Sequence, residues 1–95
     1  MNYTIETIAE FVDGKPHICF PGSMVGGVMI DHRDLHWKRA MFAAIKGTKY
    51  DGHSFIPELI QQGVRHFLVT DDRVIKEHEG DANFIKVEDI TKAVE

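Results

Sequence analysis

The chain has 95 residues, enough for one compact domain and too few for two. Fifteen acidic against 11 basic residues give a formal net charge of −4, and no basic run offsets it, so a nucleic-acid footprint is not expected. Hydrophobic residues make up 43% and charged residues 27%, as in ordinary globular domains, and no stretch approaches the roughly 20 apolar residues of a membrane span, so no membrane partner is expected.

Thr4 can cap a helix in which Ile5, Ile8, Ala9 and Val12 follow at helical spacing and which Asp13-Gly14 ends. Glu6 and Glu10 interrupt any signal-peptide core, and the cytoplasm is the expected compartment. Pro16 forbids continuation, and His17 to Phe20 is predicted to be a short strand. Cys19, the only cysteine, lies in that apolar run and reads as a small buried hydrophobe without an internal disulfide partner. Pro21-Gly22-Ser23 is a turn, Gly26 to Asp31 a strand ending in charge, and residues 32–39 a loop, polar except for Leu35 and Trp37.

Ala40 to Ile45 is a continuous apolar run, the pattern of a strand buried on both faces of a parallel sheet. Lys46 to His53 is a glycine-punctuated loop. Ser54 is expected to cap a helix from Phe55 to Gln62, with Pro57 tolerated in its first turn, Ile56, Leu59 and Ile60 on its buried face, and Gly63 as its stop. Val64 to Thr70 reads as a strand, so residues 40–70 form a strand–loop–helix–strand crossover. Asp71 to Asp81 is polar, with one helical turn around Val74-Ile75. Asn83 to Val87 alternates as a strand. Asp89 is expected to cap a last helix carrying Ile90, Ala93 and Val94, which is cut off at Glu95 as at a boundary or a linker into another domain. The fold class expected is α/β, a small mostly parallel sheet flanked by helices, over residues 1–95.

Two segments carry chemistry. Ile30-Asp31-His32-Arg33 follows a strand, where open α/β sheets face their ligands; Asp31 and Arg33 equally suit an ion pair that fixes a loop. Lys46-Gly47-Thr48-Lys49-Tyr50-Asp51-Gly52-His53 follows a buried strand and precedes a helix. Its amides, with Lys46, Thr48 and Lys49, favour an anion such as phosphate, against the alternative of a solvated connection. It is not a Walker A loop, which needs Gly-x-x-x-x-Gly-Lys followed by Ser or Thr. Tyr50 is placed to face a ligand ring, while Trp37 reads as a cover over the core. The His32–His36 pair lies in a loop, where its spacing has no force, so no metal site is expected. His53 beside Ser54 reads as a loop-fixing histidine and a capping serine, and no catalytic residue is assigned.

In series, Ile30-Asp31-His32-Arg33, then Met41-Phe42-Ala43-Ala44-Ile45-Lys46-Gly47, then Tyr50-Asp51-Gly52-His53-Ser54-Phe55-Ile56, then Gln62-Gly63-Val64 leading into Phe67-Leu68-Val69, resemble the N-terminal domain of the Mur ligases. The types it resembles are the tripeptide-forming MurE and the D-alanyl-D-alanine-adding MurF. Glu58-Leu59-Ile60 and Gly63 to Val69 are similar to the MurF half of a ligase fused to alanine racemase. The resemblance implies a domain that holds the uridine diphosphate end of a UDP-N-acetylmuramoyl-peptide. A central domain acting in cis would bind ATP and Mg and activate the peptide carboxylate, and no cofactor would belong to this domain. It also implies Ile30 and His32 beside the uridine, Thr48, Lys49 and Tyr50 in the loop over the nucleotide, and Asp31 and Arg33 holding the loops in register. Lys46, Gly47, Asp51, Gly52 and His53 would support that loop.

His32 stands where the family has serine; imidazole is the larger group and either fills the pocket or donates to a phosphate. The family's ATP-binding Gly-Lys-Thr segment is absent from the sequence. The rivals are a stand-alone nucleotide- or protein-binding module with the same fold, which His32 favours, and a small acid–base enzyme using His53, Asp51 or His32, which lacks a visible triad.

Overall fold

The computed structural model describes residues 3–30, 39–46 and 50–90. In chain order the elements are β1 (Tyr3–Thr4), α1 (Ile5–Phe11), β2 (Lys15–His17), β3 (Met24–Val25), β4 (Gly27–Met29), β5 (Ala40–Ala43), α2 (Ile56–Gln61), β6 (His66–Val69), α3 (Asp72–Glu77) and β7 (Asn83–Lys86). β1 and β3 form a two-stranded antiparallel ribbon. The other five strands form one sheet in the order β2-β7-β6-β5-β4. β4, β5, β6 and β7 run parallel, and β2 is the antiparallel edge. This is the mostly parallel α/β sheet that the alternation of apolar runs and helices predicts.

Local chemistry sets most of these boundaries. Thr4 is extended, and its hydroxyl accepts the Thr7 N–H at 3.2 Å, so α1 starts at the cap expected from sequence. Ile5 and Ala9 are buried beneath it. All four residues of β5 and all four of β6 are buried, which accounts for their unbroken apolar character. Across the sheet Phe42 pairs with Phe67 and Phe67 with Phe84, making a ladder of three buried rings. Their centroids lie 6.3 Å apart edge-on and 5.5 Å apart stacked, which adds specific ring contacts to the area buried.

Four boundaries differ from the sequence reading. The strand expected over His17 to Phe20 is Lys15–His17 instead. The buried Asn83 side chain captures the chain beyond it, taking the Cys19 and Phe20 amides at 2.9 and 2.8 Å and donating to the Phe20 carbonyl at 3.0 Å. Pro16 lies in this strand, at a sheet edge where a missing donor is tolerated. The strand expected over Gly26 to Asp31 is shorter, Gly27–Met29, and Met24-Val25 before it pair with the first strand in a separate ribbon; Asp31 lies outside the described residues. Ser54 does not cap the helix: Asp51 does, through the His53 amide at 3.0 Å, and opens a 3-10 turn, Gly52–Phe55, from which α2 follows. The Ser54 hydroxyl instead donates to the Asp51 carbonyl at 2.8 Å. The polar stretch after Thr70 holds the six-residue α3, capped by Asp71, rather than a single turn.

Cys19 is half-buried rather than enclosed; its thiol donates to the Ala82 carbonyl at 3.1 Å, and burial raises its pKa. Gly63 ends α2 with a φ of 103°, as a C-terminal glycine should. Ile90 is buried, and the rest of the helix expected after Asp89 lies outside the described residues.

Candidate functional site

Because β4 to β7 are parallel, their C-terminal ends share one edge of the sheet, the edge at which open α/β sheets receive ligands. Ile30 leaves β4 there, Ala44 to Lys46 leave β5, Thr70 and Asp71 leave β6, and Val87 leaves β7. β4 and β5 are neighbours, with Met29 opposite Phe42, so Ile30 and Lys46 emerge one strand apart. Ile30 is 58% exposed although Met29 beside it is buried.

The segment after β5 is pinned where it returns. Lys46 and Asp51 form an antiparallel bridge, and the Gly52 amide donates to the Ile45 carbonyl at 2.8 Å. Glycine is required at 52, since a Cβ would lie 2.8 Å from the Ile45 nitrogen and 2.9 Å from the Ala44 Cα and carbonyl carbon. His53 follows, nearly buried. Its Nδ1 sits 2.6 Å from Asp51 Oδ1, and its Nε2 accepts the Thr70 N–H at 3.1 Å. Burial raises the Asp51 pKa, but the hydrogen bonds from the His53 side chain and amide, with the charge of Lys46, outweigh it and leave the carboxyl below its ordinary value. Tyr50 is 71% exposed, its ring tilted over Phe55 at 6.4 Å.

On the next strand end, Asp71 caps α3 and takes Arg73 through Nε at 3.2 Å and Nη2 at 3.0 Å. The Arg73 side chain, then the Arg73 amide, lower its pKa to about 2.

The structure thus brings Ile30, Lys46, Tyr50, Asp51, Gly52 and His53 to one edge. Asp31, His32, Arg33, Gly47, Thr48 and Lys49 lie outside the described residues, as does the His32–His36 pair. Thr70 and Asp71 belong to this edge and are not picked out by the sequence reading, although the strand-end rule applied to Asp31 points to them as well. Among the described residues no group of three His, Cys, Asp or Glu side chains suits a metal ion, and no helix is long and apolar enough to cross a membrane.

The sequence pattern described as "Mur ligase family, catalytic domain" matches residues 25–95. The chain belongs to the Mur ligase family. Among Mur ligases, it is 38% identical over 72 residues to the UDP-N-acetylmuramoyl-L-alanyl-D-glutamate–2,6-diaminopimelate ligase of Clostridium perfringens, covering 76% of this chain and 14% of that enzyme. It is 33% identical over 66 residues to the UDP-N-acetylmuramoyl-tripeptide–D-alanyl-D-alanine ligase of Bacillus subtilis, covering 68% of this chain and 14% of that one. It therefore spans a small part of the length of the curated relatives it matches. Two crystal structures of MurF from Acinetobacter baumannii share its fold, with TM-scores of 0.78 and 0.79 at 20% and 19% identity, covering 99% of this chain and 20% of theirs.

In this Mur ligase chain the polar groups of the described edge are largely committed to its own loop. His53 Nε2 accepts the Thr70 amide, the Asp51 carboxylate accepts the His53 amide, and His53 Nδ1 faces that carboxylate. Among the described residues of the edge, no nucleophile, base and orienting group come together.

Proposed function

We propose that this chain holds the UDP end of a UDP-N-acetylmuramoyl-peptide for an ATP-dependent ligase of peptidoglycan precursors, in the cytoplasm, and serves cell-wall biogenesis and thereby cell shape and division. The observation that carries this reading is the adjacency of the β4 and β5 ends, with the exposed apolar Ile30 and Tyr50 beside the cationic Lys46. An apolar ledge suits a pyrimidine, and a neighbouring ammonium suits a diphosphate. On this reading Ile30 and Tyr50 flank the base, His32, Thr48 and Lys49 contact the nucleotide, and Asp31 and Arg33 hold the loops in register. Lys46, Gly47, Asp51, Gly52 and His53 support the loop.

ATP and Mg do not fit this chain's own residues. The sequence has no Gly-Lys-Thr phosphate loop, and the described residues offer no carboxylate cluster for the metal. We assign both to a central domain acting in cis. Alone, the chain binds and does not ligate. The relatives named above act on UDP-N-acetylmuramoyl substrates by name, which supports the same choice of ligand.

The test is a titration of UDP into the 15N-labelled chain. Amide shifts are expected at Ile30, Lys46, Tyr50, Gly52 and Thr70. Shifts confined to the opposite edge, at Gly27, Arg65 and Asn83, or no shift at millimolar UDP, would refute the reading. The rival, a stand-alone binding module, is favoured by His32 in place of serine. Continuation of the gene's reading frame past Glu95 into a Gly-Lys-Thr segment decides against it.

A further inference from the structure

The last main-chain bond between the ends of β5 and β6 runs from the Ala44 amide to the Leu68 carbonyl at 2.9 Å. Beyond it, a side chain makes the next link. His53 bridges Asp51, which pairs with Lys46 after β5, to Thr70, which follows Val69 at the end of β6. A backbone amide can only donate, so Nε2 carries no proton. An ionised carboxylate can only accept, so Nδ1 carries one. The imidazole is therefore neutral and held in one tautomer.

The ring contacts of the buried ladder run between Phe42, Phe67 and Phe84 themselves. What depends on the link is the placement of the residues before it. Tyr50 is largely exposed and Lys46 is exposed, so their backbone positions follow from the bridge at Asp51 and from the Gly52 contact. A binding edge whose backbone is already fixed avoids paying the ordering entropy on association.

We propose that His53 is the positioning residue of this edge: its Nδ1-protonated tautomer locks Lys46 and Tyr50 at the height of the strand ends, so that a nucleoside diphosphate meets a preformed seat. The proposal deepens the reading of the edge as a UDP site and rests on it.

Two experiments on the 95-residue chain test it. Long-range proton–nitrogen spectra of the wild type should show a protonated Nδ1 and an acceptor Nε2 for His53 at neutral pH; an Nε2–H tautomer or an imidazolium overturns the proposal. UDP is then titrated into the wild type, His53→Asn and His53→Gln. Asparagine places an amide donor near the Nδ1 position and loses the Thr70 acceptor, while glutamine places a carbonyl near the Nε2 position and keeps it. UDP binding should weaken by about tenfold in His53→Asn, the scale set by one part-buried donor left unpaired. It should recover in part in His53→Gln, with the Phe42, Phe67 and Phe84 amide shifts unchanged in both. Wild-type affinity in both variants overturns the positioning role and leaves the seat standing. Absence of UDP binding by the wild type overturns the seat, and the proposal with it. Should His53→Asn fail to fold, the ring spectrum and His53→Gln decide, and either an Nε2–H tautomer or full wild-type affinity in His53→Gln overturns the proposal.

Discussion

Gly52→Ala is the substitution that tests the geometry of this edge most directly. The Cβ it adds would lie 2.8 Å from the Ile45 nitrogen and 2.9 Å from two atoms of Ala44. Ordinary contacts between such atoms begin at about 3.5 Å, so the shortfall is roughly 0.6–0.7 Å. All the opposing atoms are backbone, and Ala43 and Ala44 are fully buried, so no side chain can swing aside. Residue 52 must retreat instead, which gives up its 2.8 Å bond to the Ile45 carbonyl. Overpacking costs about 1–3 kcal/mol, and the lost hydrogen bond adds about 1 kcal/mol. Taking about 3 kcal/mol in total, at roughly 5 °C per kcal/mol for a domain of this size, Tm falls by on the order of 15 °C. Thermal unfolding followed by circular dichroism measures this, with UDP titration below the transition. Gly63→Ala is the control. Nothing lies within 4 Å of its added Cβ, and its φ of 103° leaves backbone strain alone, worth about 1–2 kcal/mol. If Gly52→Ala melts with the wild type, or melts above Gly63→Ala, the segment does not rest on Ala44 and the edge is drawn wrongly.

Four further outcomes are expected. Asn83→Ala strands the Cys19 and Phe20 amides and the Phe20 carbonyl; urea unfolding should show a loss of about 2–4 kcal/mol. Burial lowers the His66 pKa from 6.5, so below that value the unfolded chain binds protons that the folded chain refuses. Stability should therefore fall as pH drops from 6.5 toward the folded-state pKa, by at most about 1.4 kcal/mol per pH unit; the slope should shrink in His66→Gln, and an unchanged slope contradicts the assignment. The Asp71 carboxyl, followed by NMR, should titrate at about 2, so its contribution is complete above the unfolded value of 3.8 and fades as pH falls toward 2; Arg73→Ala should raise it. His32→Ser restores the family's residue: unchanged UDP affinity counts against a His32 contact, and a marked gain identifies His32 as an obstruction.

The sequence is legible where local chemistry decides. The β5 run is apolar at every position because both faces of that strand are covered, and Thr4 and Gly63 act at the two ends of helices within reach of their own neighbours. It misleads where a distant group decides. Nothing in Ile18-Cys19-Phe20 shows that a carboxamide 64 residues on from Cys19 will take over its amide. Nothing in Met24-Val25 shows that they pair with the first strand rather than extend the fourth. Asp51 and Ser54 are both good caps by type, and only the bridge to Lys46 sets Asp51 at the start of the turn. The same division runs through the candidate site. The resemblance marks Asp51-Gly52-His53, but the partner that fixes the tautomer of His53 is a main-chain amide on another strand.

The exposed apolar residues at this edge support the proposed ligand. Val28 and Ile30 are two apart in the chain, so they point to the same side of β4, and they are 47% and 58% exposed while Met29 between them is buried. An edge strand left to the needs of solubility would carry charge on such a face. Tyr50, on the segment leaving the neighbouring strand, is more exposed still, yet the backbone directly after it is fixed through Asp51, Gly52 and His53. Within the fold Tyr50 gains only a tilted contact with the Phe55 ring. On the proposed reading these exposed side chains gain burial when a flat, partly apolar group lies against them with its charged end toward Lys46, and a nucleotide diphosphate has that shape and that polarity.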